Sequence, residues 1–283
     1  MKSLLRCPTC HNELERAQHD YHCVNGHVFD IARQGYVNLL LSHQMRSKEP
    51  GDSLQMVQSR RKFLSSGFYD SVSARLNEIV GLSTLGQRRG INLLDAGCGE
   101  GFYTKRLKDS LHLRFGPASE QRFFGVDISK PAIRMATQYD RAITWVVASV
   151  LELPLMTSTI DLATSVFAVP SYQEFSRVLK ADGKLILVTP GPRHLESLRK
   201  VIYTEVLEHS LAKTLRDSEG LFSLTDYSTL GDRLVLDRQE DIMNLLMMTP
   251  YYWNINLEQK GRVEALTRLD LEVDVFVSVL EKI

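Results

Sequence analysis

A short apolar run followed by an acidic residue and three alternate glycines stands near the middle of this 283-residue sequence. Residues 91–94, Ile-Asn-Leu-Leu, are typical of a buried strand, and Asp95 follows them. Three glycines then occur at alternate positions, Gly97, Gly99 and Gly101, before a helical stretch. Such glycines allow the backbone to turn sharply and to approach a ligand at the N-terminus of a helix. This order of elements favours a layered α/β fold with a ligand at the turn.

The residues around the turn indicate what kind of ligand it holds. The spacing is G-x-G-x-G, whereas the turn that binds the pyrophosphate of a dinucleotide has the spacing G-x-G-x-x-G. Asp95 would also repel a pyrophosphate, but it suits a ligand with an amino group. The next predicted strand ends at Asp127, where a carboxylate can accept hydrogen bonds from both hydroxyls of a ribose.

Strands and helices alternate through the central part of the chain. Apolar runs predict strands at 143–155, 159–169 and 184–192, and a helix over 172–183. Ser149, at the exit of the first of these strands, would border an adenine. Such alternation is typical of a doubly wound parallel sheet. Residues 209–237 lack clean periodicity, and the closing stretch 269–280 alternates like an antiparallel strand at the edge of the sheet.

A cysteine-histidine cluster occupies the N-terminal segment. Two chelating pairs with the spacings C-x2-C and C-x3-H are formed by Cys7, Cys10, Cys23 and His27. Zn²⁺ takes four such ligands in a tetrahedron, and a closed set of four predicts a structural rather than a catalytic ion. Bound zinc can supply on the order of 10 kcal/mol toward folding so small a segment. Free thiols on a surface loop are the alternative.

Three other histidines lie close to the cluster in sequence: His11, His19 and His22. Any of them could replace His27 in principle. The paired spacing favours His27.

Composition limits the class of protein. With 43% hydrophobic and 24% charged residues, the chain can bury an α/β core and leave roughly thirty to fifty residues for a small module. No apolar run reaches the roughly 18 residues of a membrane span, and the N-terminal apolar stretch is too short for a secretory signal. We therefore expect a cytoplasmic protein, in which clustered cysteines bind a metal rather than form disulfides.

The formal net charge is zero, but residues 31–63 carry a net charge of +4. The charged residues of this segment are Arg33, Arg46, Lys48, Arg60, Arg61 and Lys62 against Glu49 and Asp52. A basic segment beside a zinc hairpin offers phosphate contacts, and Tyr36 could stack on an unpaired base. We predict that Arg60 and Lys62 contact RNA. The alternative is that these residues pair with carboxylates of the sheet domain.

The turn and the two carboxylates together resemble the Rossmann-like S-adenosylmethionine-dependent methyltransferases, over about residues 91–190. In that class the acidic residue and the glycine loop hold the methionine end of the donor, and the carboxylate of the second strand holds its ribose. The resemblance implies donor contacts at Asp95, Gly97, Gly99, Glu100, Gly101 and Asp127.

Further motifs resemble the large-subunit (23S) ribosomal RNA guanine-N(1) methyltransferases over nearly the whole chain. They are GYVNLL at 35–40, PGDS at 50–53, SRRKFLSSGFY at 59–69, TPGPRHL at 189–195 and MTPYYW at 248–253. The resemblance implies methylation of ring N(1) of a guanine in single-stranded or hairpin-loop 23S rRNA. It also implies that Tyr69 and His194 contact the methyl donor.

One departure concerns the loop after the fourth strand. The family often has an aromatic-Ala-Pro triplet there, whereas this chain has Phe-Ala-Val-Pro at 167–170, which leaves open how the target base is held. Guanine N(1) must lose its proton, but the sequence identifies no general base. The carboxylate nearest to this loop in the sequence is Glu174.

The combined prediction is an α/β protein: a Rossmann-like doubly wound, mostly parallel seven-stranded sheet with a small N-terminal zinc-ribbon-like module. We divide the chain into a zinc-binding module (1–35), a basic linker with N-terminal helices (36–90) and a methyltransferase domain (91–283). The expected cofactors are S-adenosylmethionine and Zn²⁺, and the expected partner is rRNA. We also consider that the protein forms a homodimer. Two alternatives are a small-molecule methyltransferase capped by a zinc module and a non-catalytic zinc-bearing RNA-binding protein.

Overall fold

The computed structural model describes residues 3–45, 47–84, 90–116 and 120–283 of the chain. Arg46, one of the basic residues considered above, lies outside them. A small antiparallel sheet near the N-terminus contains β1 (Leu14–Arg16), β2 (Asp20–Cys23) and β3 (Val28–Asp30). The remainder of the described chain forms one large sheet with helices packed on both faces.

The strands of the large sheet are β4 (Tyr36–Asn38), β5 (Asn92–Ala96), β6 (Arg122–Asp127), β7 (Thr144–Val147), β8 (Ile160–Val166), β9 (Leu179–Pro190), β10 (Phe222–Leu236) and β11 (Leu269–Lys282). Their order across the sheet is β10-β11-β9-β8-β5-β6-β7-β4. From β9 to β4 all neighbours are parallel, whereas β11 is antiparallel to both β9 and β10. The parallel strands place the turns that follow them along one edge of the sheet, which we call the C-terminal edge.

The helices are α1 (Leu54–Ser65), α2 (Asp70–Ser83), α3 (Phe102–Phe115), α4 (Lys130–Ala136), α5 (Tyr172–Val178), α6 (Glu196–Ile202), α7 (Leu211–Leu215), α8 (Gln239–Met248), α9 (Tyr251–Asn254) and α10 (Leu257–Glu264). Two short 3₁₀ helices span Ser42–Gln44 and Arg216–Ser218. Ser53 caps α1 and Ser129 caps α4 through their side-chain oxygens. Within the described ranges, no helix combines the length and the apolar character of a membrane span.

The doubly wound, mostly parallel sheet is confirmed, but the predicted number of strands is wrong. The sheet has eight strands rather than seven. Two of them, β4 and β10, had not been identified from sequence patterns. β4 has only three residues, too few for a periodic pattern, and β10 is largely exposed, so its sequence lacks the apolar alternation of a half-buried strand.

Several elements also differ from the prediction in their bounds or position. The strand predicted at 143–155 ends at Val147, and the one predicted at 159–169 spans Ile160–Val166. β11 does not form the edge of the sheet, because β10 pairs along its whole length. The helix expected to continue to Gly183 ends at Val178, and residue 179 already begins β9. The local helical preference of this segment is overridden by pairing of Leu179 with Ile160 and of Lys184 with Glu281.

The segment 36–90 contributes directly to the packing of the large sheet. It supplies β4 and both N-terminal helices, and Phe63, Val72 and Leu76 are buried in the core on one face of the sheet. The apolar core on the opposite face extends into the zinc module, where Leu5 and Leu14 are fully buried in the same cluster as Leu94 of β5. The core is therefore continuous across the boundaries that we predicted at residues 35 and 90.

Candidate functional site

Three cysteines and a histidine converge in the N-terminal module. Their ligand atoms, from Cys7, Cys10, Cys23 and His27, all lie within 4.8 Å of one another. Cys10 Sγ and Cys23 Sγ are 3.5 Å apart, and His27 Nδ1 lies 3.3 Å from Cys23 Sγ. Ligands bound to Zn²⁺ at about 2.0–2.3 Å lie about 3.3–3.8 Å from one another at the corners of a tetrahedron. The backbone N–H of Asn12 lowers the pKa of Cys10 to about 6, which favours the thiolate that zinc requires.

Two of the alternative histidines make other contacts. His22 Nδ1 lies 3.0 Å from Asp20 Oδ1, and His11 Nε2 lies 3.6 Å from Glu152 Oε1. The geometry therefore favours His27 as the fourth ligand, in agreement with the predicted spacing.

The zinc module abuts the loop that follows β7. Leu5 forms a β-bridge with Leu155, and the backbone N–H of Met156 donates to the carbonyl oxygen of Leu4. The side chain of Gln44, just beyond the module, donates to Glu152 at 2.6 Å. The module therefore lies beside the loop that the sequence predicts to border an adenine.

The glycine turn lies at the C-terminal edge of the sheet, between β5 and α3. Gly97, Gly99 and Gly101 have φ values of 78°, 55° and 85°, in a region that other residues rarely adopt. A Cβ atom on Gly97 would lie 2.4 Å from the Cβ of Ala168, and one on Gly101 would lie 2.6 Å from the ring of Trp145. The turn therefore allows the loop after β8 to pack directly against its backbone.

Asp95 is buried beneath this turn, with only 1% of its surface exposed. Thr104 Oγ1 donates to Asp95 Oδ2 at 2.5 Å, and Thr164 Oγ1 donates to Oδ1 at 3.0 Å. Burial raises the pKa of Asp95 to about 6, although both hydroxyls oppose the shift. Asp95 thus connects β5 to β8 and to the first turn of α3, and both of its oxygens are already bonded within the protein.

Asp127 ends β6 as predicted and lies against the same turn. Its Oδ2 accepts a hydrogen bond from the Gly99 N–H at 2.9 Å, and Oδ1 accepts one from the Ser129 N–H at 2.7 Å. Burial raises the pKa of Asp127, and these two N–H groups oppose the rise. Each oxygen retains acceptor capacity. Ser149 follows β7 and is also buried, next to Ala148, whose N–H donates to the Asp127 carbonyl.

A partly buried cluster of charged groups, which includes Arg60 of α1, lies beside the glycine turn. Arg60 Nη1 lies 3.8 Å from Glu100 Oε2, and Arg60 Nη2 is paired with Asp52. Burial raises the pKa of Glu100 to about 7, although the Arg60 guanidinium opposes the shift. The Ser129 hydroxyl donates to the Asp52 carbonyl at 2.7 Å. The PGDS loop is therefore attached to the loop that carries Asp127.

The three consecutive basic residues of α1 all have partners in the sheet domain. Arg60 faces the carboxylates just described, and Arg61 donates to Gln138 at 2.7 Å. Lys62 pairs with Glu240 at 2.9 Å. These contacts agree with the alternative that the basic residues pair with the sheet domain, and RNA contact by Arg60 and Lys62 stays a prediction.

Tyr69, Phe167 and His194 form an aromatic cluster at the same edge. Tyr69 Oη lies 3.4 Å from His194 Nε2, and the rings of Phe167 and His194 stack with centroids 5.3 Å apart. The backbone N–H of Asp274 donates to His194 Nδ1, so the proton of the neutral ring resides on Nε2, which donates to Tyr69. Burial lowers the pKa of His194 to about 3 and raises the pKa of Tyr69. Both side chains are neutral at physiological pH.

Phe167 has a backbone φ of 53°, which is uncommon for a residue with a side chain, and residues in such strained conformations cluster at functional sites. Its ring is 38% exposed, so one part contacts His194 and another faces solvent. Ala168, the next residue, packs on Gly97. An accessible aromatic surface therefore lies directly beside the glycine turn.

Sequence reasoning did not identify Asp52, Tyr103 or Phe167 as site residues. The PGDS motif indicated only a resemblance to the family. Gly51 has a φ of 80°, and a Cβ atom on it would lie 2.8 Å from the Ile128 side chain. Its proximity to the glycine turn depends on long-range packing, which the motif does not reveal. No local sequence signal distinguishes Tyr103 from an ordinary buried aromatic residue of α3.

Comparison with known proteins gives matches over most of the chain. The zinc-ribbon family model described as "RlmA, N-terminal" matches residues 5–48, and the model described as "Methyltransferase domain" matches residues 94–187. A protein of Micromonospora griseorubida, provisionally named a 23S rRNA (guanine-N(1)-)-methyltransferase, is 35% identical over 93% of this chain and 92% of its own length. The 23S rRNA (guanine(748)-N(1))-methyltransferase of Streptomyces fradiae is 30% identical over 91% of this chain and 89% of its own length.

A solved structure supports the fold assignment. A protein of Bacillus halodurans C-125, provisionally described as a methyltransferase, aligns with 75% of this chain and 98% of its own, with a TM-score of 0.50 and 14% identity. At this identity the similarity concerns the fold alone.

Proposed function

The chain belongs to the family of 23S rRNA (guanine-N(1)-)-methyltransferases, and we propose that it methylates ring N(1) of one guanine in 23S ribosomal RNA. It is an S-adenosylmethionine-dependent rRNA methyltransferase. The observation that carries the proposal is the partly exposed Phe167 ring, stacked on His194 immediately beside the glycine turn. An RNA base that stacks there would lie next to the donor.

The residues at the C-terminal edge fit S-adenosylmethionine, which supplies an electrophilic methyl group on a sulfonium. Asp127 has acceptor capacity for ribose hydroxyls. Glu100 Oε2 and Tyr103 Oη are buried polar atoms without hydrogen-bond partners in the described part of the chain. The carboxylates of Asp127 and Glu100 suit a ligand that carries an ammonium and a sulfonium.

We therefore propose the following residues as donor-binding: Tyr69, Asp95, Gly97, Gly99, Glu100, Gly101, Asp127, Ser149 and His194. Asp95 acts indirectly in this scheme, because its oxygens are bonded to Thr104 and Thr164. It holds the turn in position. The N–H of Gly99 orients the carboxylate of Asp127. The zinc ligands stabilise the module that supports the loop after β7.

The proposed role of the protein in the reaction is alignment of the base with the methyl group. Holding two reactants in line can contribute up to roughly 7–11 kcal/mol to lowering a barrier. His194 is neutral and hydrogen-bonded on both ring nitrogens, so it orients Tyr69 and supports the Phe167 ring. Glu174 is bonded to Arg177 and to the Leu153 N–H, and we assign it a structural role rather than that of a general base.

Ribosomal RNA as a substrate also supports a cytoplasmic location. We propose a homodimer in which β10, the last strand at one end of the sheet, meets a second copy. β10 has 15 residues, and Leu224, Tyr227 and Val235 on it are exposed. Edge strands of this length are usually covered. Light scattering of the zinc-loaded protein should give twice the 32.2 kDa mass of the chain; the monomer mass would contradict the dimer.

The function can be tested on 23S rRNA from a strain that lacks the gene. A methyl group at guanine N(1) blocks base pairing, so reverse transcription should stop one nucleotide before the modified guanine in the parent strain. We expect the stop to disappear in the deletion strain and to return on complementation. A stop pattern that is identical in all strains would overturn the proposal.

Binding measurements separate the two alternative functions. A non-catalytic RNA-binding protein predicts no heat of binding for S-adenosylmethionine when zinc is bound. A small-molecule methyltransferase predicts donor binding but no RNA affinity that falls steeply with salt, as phosphate contacts require.

A further inference from the structure

The MTPYYW motif at 248–253 contributes none of the proposed donor-binding residues. It covers the end of α8 and most of α9. Its last residue, Trp253, is 61% exposed, whereas Trp145, the other tryptophan of the chain, is 1% exposed. Tryptophan is enriched among the residues that dominate the binding of a partner. The surroundings of this exposed ring therefore indicate which partner it fits.

The indole of Trp253 is exposed but held in a fixed position. Its Nε1–H donates to Met56 Sδ at 2.8 Å. The neighbouring Tyr252 ring meets it edge to face, with centroids 5.3 Å apart and an angle of 83° between the planes. Lys260 Nζ lies 5.5 Å from the centre of the Tyr252 ring. A ring that is fixed before binding loses little conformational freedom when a flat group stacks on it, so Trp253 is preorganised for stacking.

The motif packs on the face of α1 that adjoins the glycine turn. Met56 precedes Arg60 by four positions on α1, so the two side chains lie on one face of the helix, about one turn apart. Arg60 Nη1 lies 3.8 Å from Glu100 Oε2, at the glycine turn. Arg60 Nη2 also donates to the carbonyl oxygen of Met248, the first residue of the motif, at 3.4 Å. Both ends of the motif therefore contact the side of α1 next to the donor site.

Aromatic side chains connect the motif with Phe167, where we propose that the target base stacks. Tyr251 lies within electrostatic range of Tyr69. The centroids of the Tyr69 and Phe167 rings are 5.9 Å apart. Tyr69 is buried, whereas Phe167 and Trp253 are both exposed. Two exposed rings thus flank the buried aromatic residues of one site.

The charges around the N-terminal end of α1 suit a polyanion. Lys130 and Arg134, one turn apart on α4, are both exposed and have no carboxylate partner among the described residues. Lys130 follows Ser129, whose hydroxyl donates to the carbonyl oxygen of Asp52 just before α1. Both carboxylates of α10, the helix that follows the motif, are paired with cations of the same helix. Phosphates of an RNA backbone therefore meet unpaired cations of α4 and no unpaired carboxylate of α10.

Resting on the proposed function, we propose that Trp253 stacks on an unpaired base of the rRNA next to the target guanine. Single-stranded RNA loops are commonly recognised by splayed bases that stack on aromatic side chains. Phe167 contacts the guanine, and Trp253 holds a neighbouring base, so the two rings together select an unpaired segment. The positive charge of α4 favours RNA over a second protein as the occupant. Trp253 is a specificity-determining residue and takes no part in methyl transfer.

The first test compares an aromatic with an aliphatic substitution. Affinity for unmodified 23S rRNA, transcribed in vitro, would be measured by filter binding with the full-length, zinc-loaded protein. Trp253→Leu keeps an apolar group against Met56 but removes the ring, and it should weaken RNA binding about 5- to 150-fold, the contribution of one stacked base. Trp253→Phe keeps a ring and should stay within about threefold of the wild type.

Leu257→Ala is the matched control, because Leu257 is 88% exposed and lies four positions beyond Trp253. It should leave RNA affinity unchanged, and calorimetry should give the wild-type affinity for S-adenosylmethionine in all three variants. Equal losses in Trp253→Leu and Trp253→Phe would contradict stacking. Wild-type RNA affinity in Trp253→Leu would overturn the proposal and leave a protein as the occupant of this surface.

The second test uses the fluorescence of the exposed indole. Acrylamide should quench Trp253 in the free protein, whereas the buried Trp145 is protected. Bound 23S rRNA should protect Trp253 from acrylamide, and a fully paired RNA duplex, which offers phosphates but no unpaired base, should not. An indole that stays accessible when the protein is saturated with 23S rRNA would overturn the proposal. Neither test requires methyl transfer, so both can succeed if no guanine is methylated, and both can fail while the reverse-transcription stop persists.

Discussion

The zinc module and the C-terminal edge of the large sheet hold their functional residues in place by different means. In the module, strands of three or four residues surround four ligand atoms, and the metal would add a fixed point to the burial of Leu5 and Leu14 against the sheet. At the C-terminal edge, buried apolar strands support carboxylates and phenols with unsatisfied bonding capacity. The difference shows that a large core can stabilise polar groups kept for a ligand, whereas a small module uses its polar groups for its own folding.

The largest effect is expected from breaking the metal site. Cys10→Ser should release zinc, remove binding energy on the order of 10 kcal/mol and unfold residues 3–35. Because Leu5 and Leu14 share a core with the sheet, the melting temperature of the whole protein should also fall. The glycine turn belongs to another part of the fold, so affinity for S-adenosylmethionine should decrease by less than about tenfold.

Metal content, hydrogen exchange and donor affinity would be measured on the same sample. His22→Ala is the matched control, since His22 contacts Asp20 outside the ligand set, and it should retain zinc. A loss of donor affinity in step with the loss of zinc would show that the module and the sheet are not independent and that the predicted division at residue 35 is wrong.

The buried carboxylate of Asp95 should make stability depend on pH. Its pKa is raised by burial from 3.8 to about 6 in the folded protein, so the folded state holds this proton more tightly than the unfolded state. The resulting stabilisation is complete below pH 3.8 and is lost as the pH rises through about 6. A shift of about two pKa units corresponds to at most about 3 kcal/mol.

Asp95→Asn should therefore flatten the change in unfolding free energy between pH 4.5 and pH 7, measured by urea denaturation over that range. Asp109→Asn removes an exposed carboxylate of α3 and is the control, with a pH profile like that of the wild type. An unchanged profile in Asp95→Asn would show that this carboxylate does not titrate as described.

Substitution of Phe167, whose ring is exposed at the C-terminal edge, tests whether that edge, rather than the zinc module, binds the target base. Phe167→Ala should weaken binding of a 23S rRNA fragment by about 1–3 kcal/mol, the contribution of one base stacked on an aromatic ring. Affinity for S-adenosylmethionine should remain nearly unchanged. Fluorescence anisotropy would measure the RNA affinity of Phe167→Ala and of the control variant Val169→Ala, which changes an exposed neighbouring residue. Equal RNA affinity for Phe167→Ala and the wild type would place the base elsewhere.

The smallest effect is expected at Lys62, which pairs with Glu240 at the surface. Such exposed pairs contribute about 0–1 kcal/mol, so Lys62→Ala should change the melting temperature little. The salt dependence of RNA binding should stay the same. A decrease of about one in the salt slope would reveal a phosphate contact and restore the RNA-binding role first predicted for this segment.

Local patterns were sufficient for the elements whose residues act through neighbours in sequence. The spacing of the zinc ligands is fixed by tight turns, and the structure brings all four atoms together. The strand before Asp95, the glycine turn and the end of β6 at Asp127 were likewise predictable, because buried strands in a parallel sheet are apolar throughout. β10 was not predicted because it is largely exposed. The predicted end of α5 was wrong because strand pairing outweighs helix propensity there.

The sequence alone therefore determined the zinc ligands, the parallel sheet and the carboxylates at its C-terminal edge, since each depends on spacing or periodicity within a few residues. Only the tertiary structure decided how the positive charge of residues 31–63 is used. Packing of α1 against the sheet brings Arg60 within 3.8 Å of Glu100, forty positions away in the chain, so that a residue predicted to contact RNA pairs with a carboxylate beside the glycine turn. Sequence patterns do not contain such a pairing, because it arises from long-range burial that joins two elements with no common period or motif.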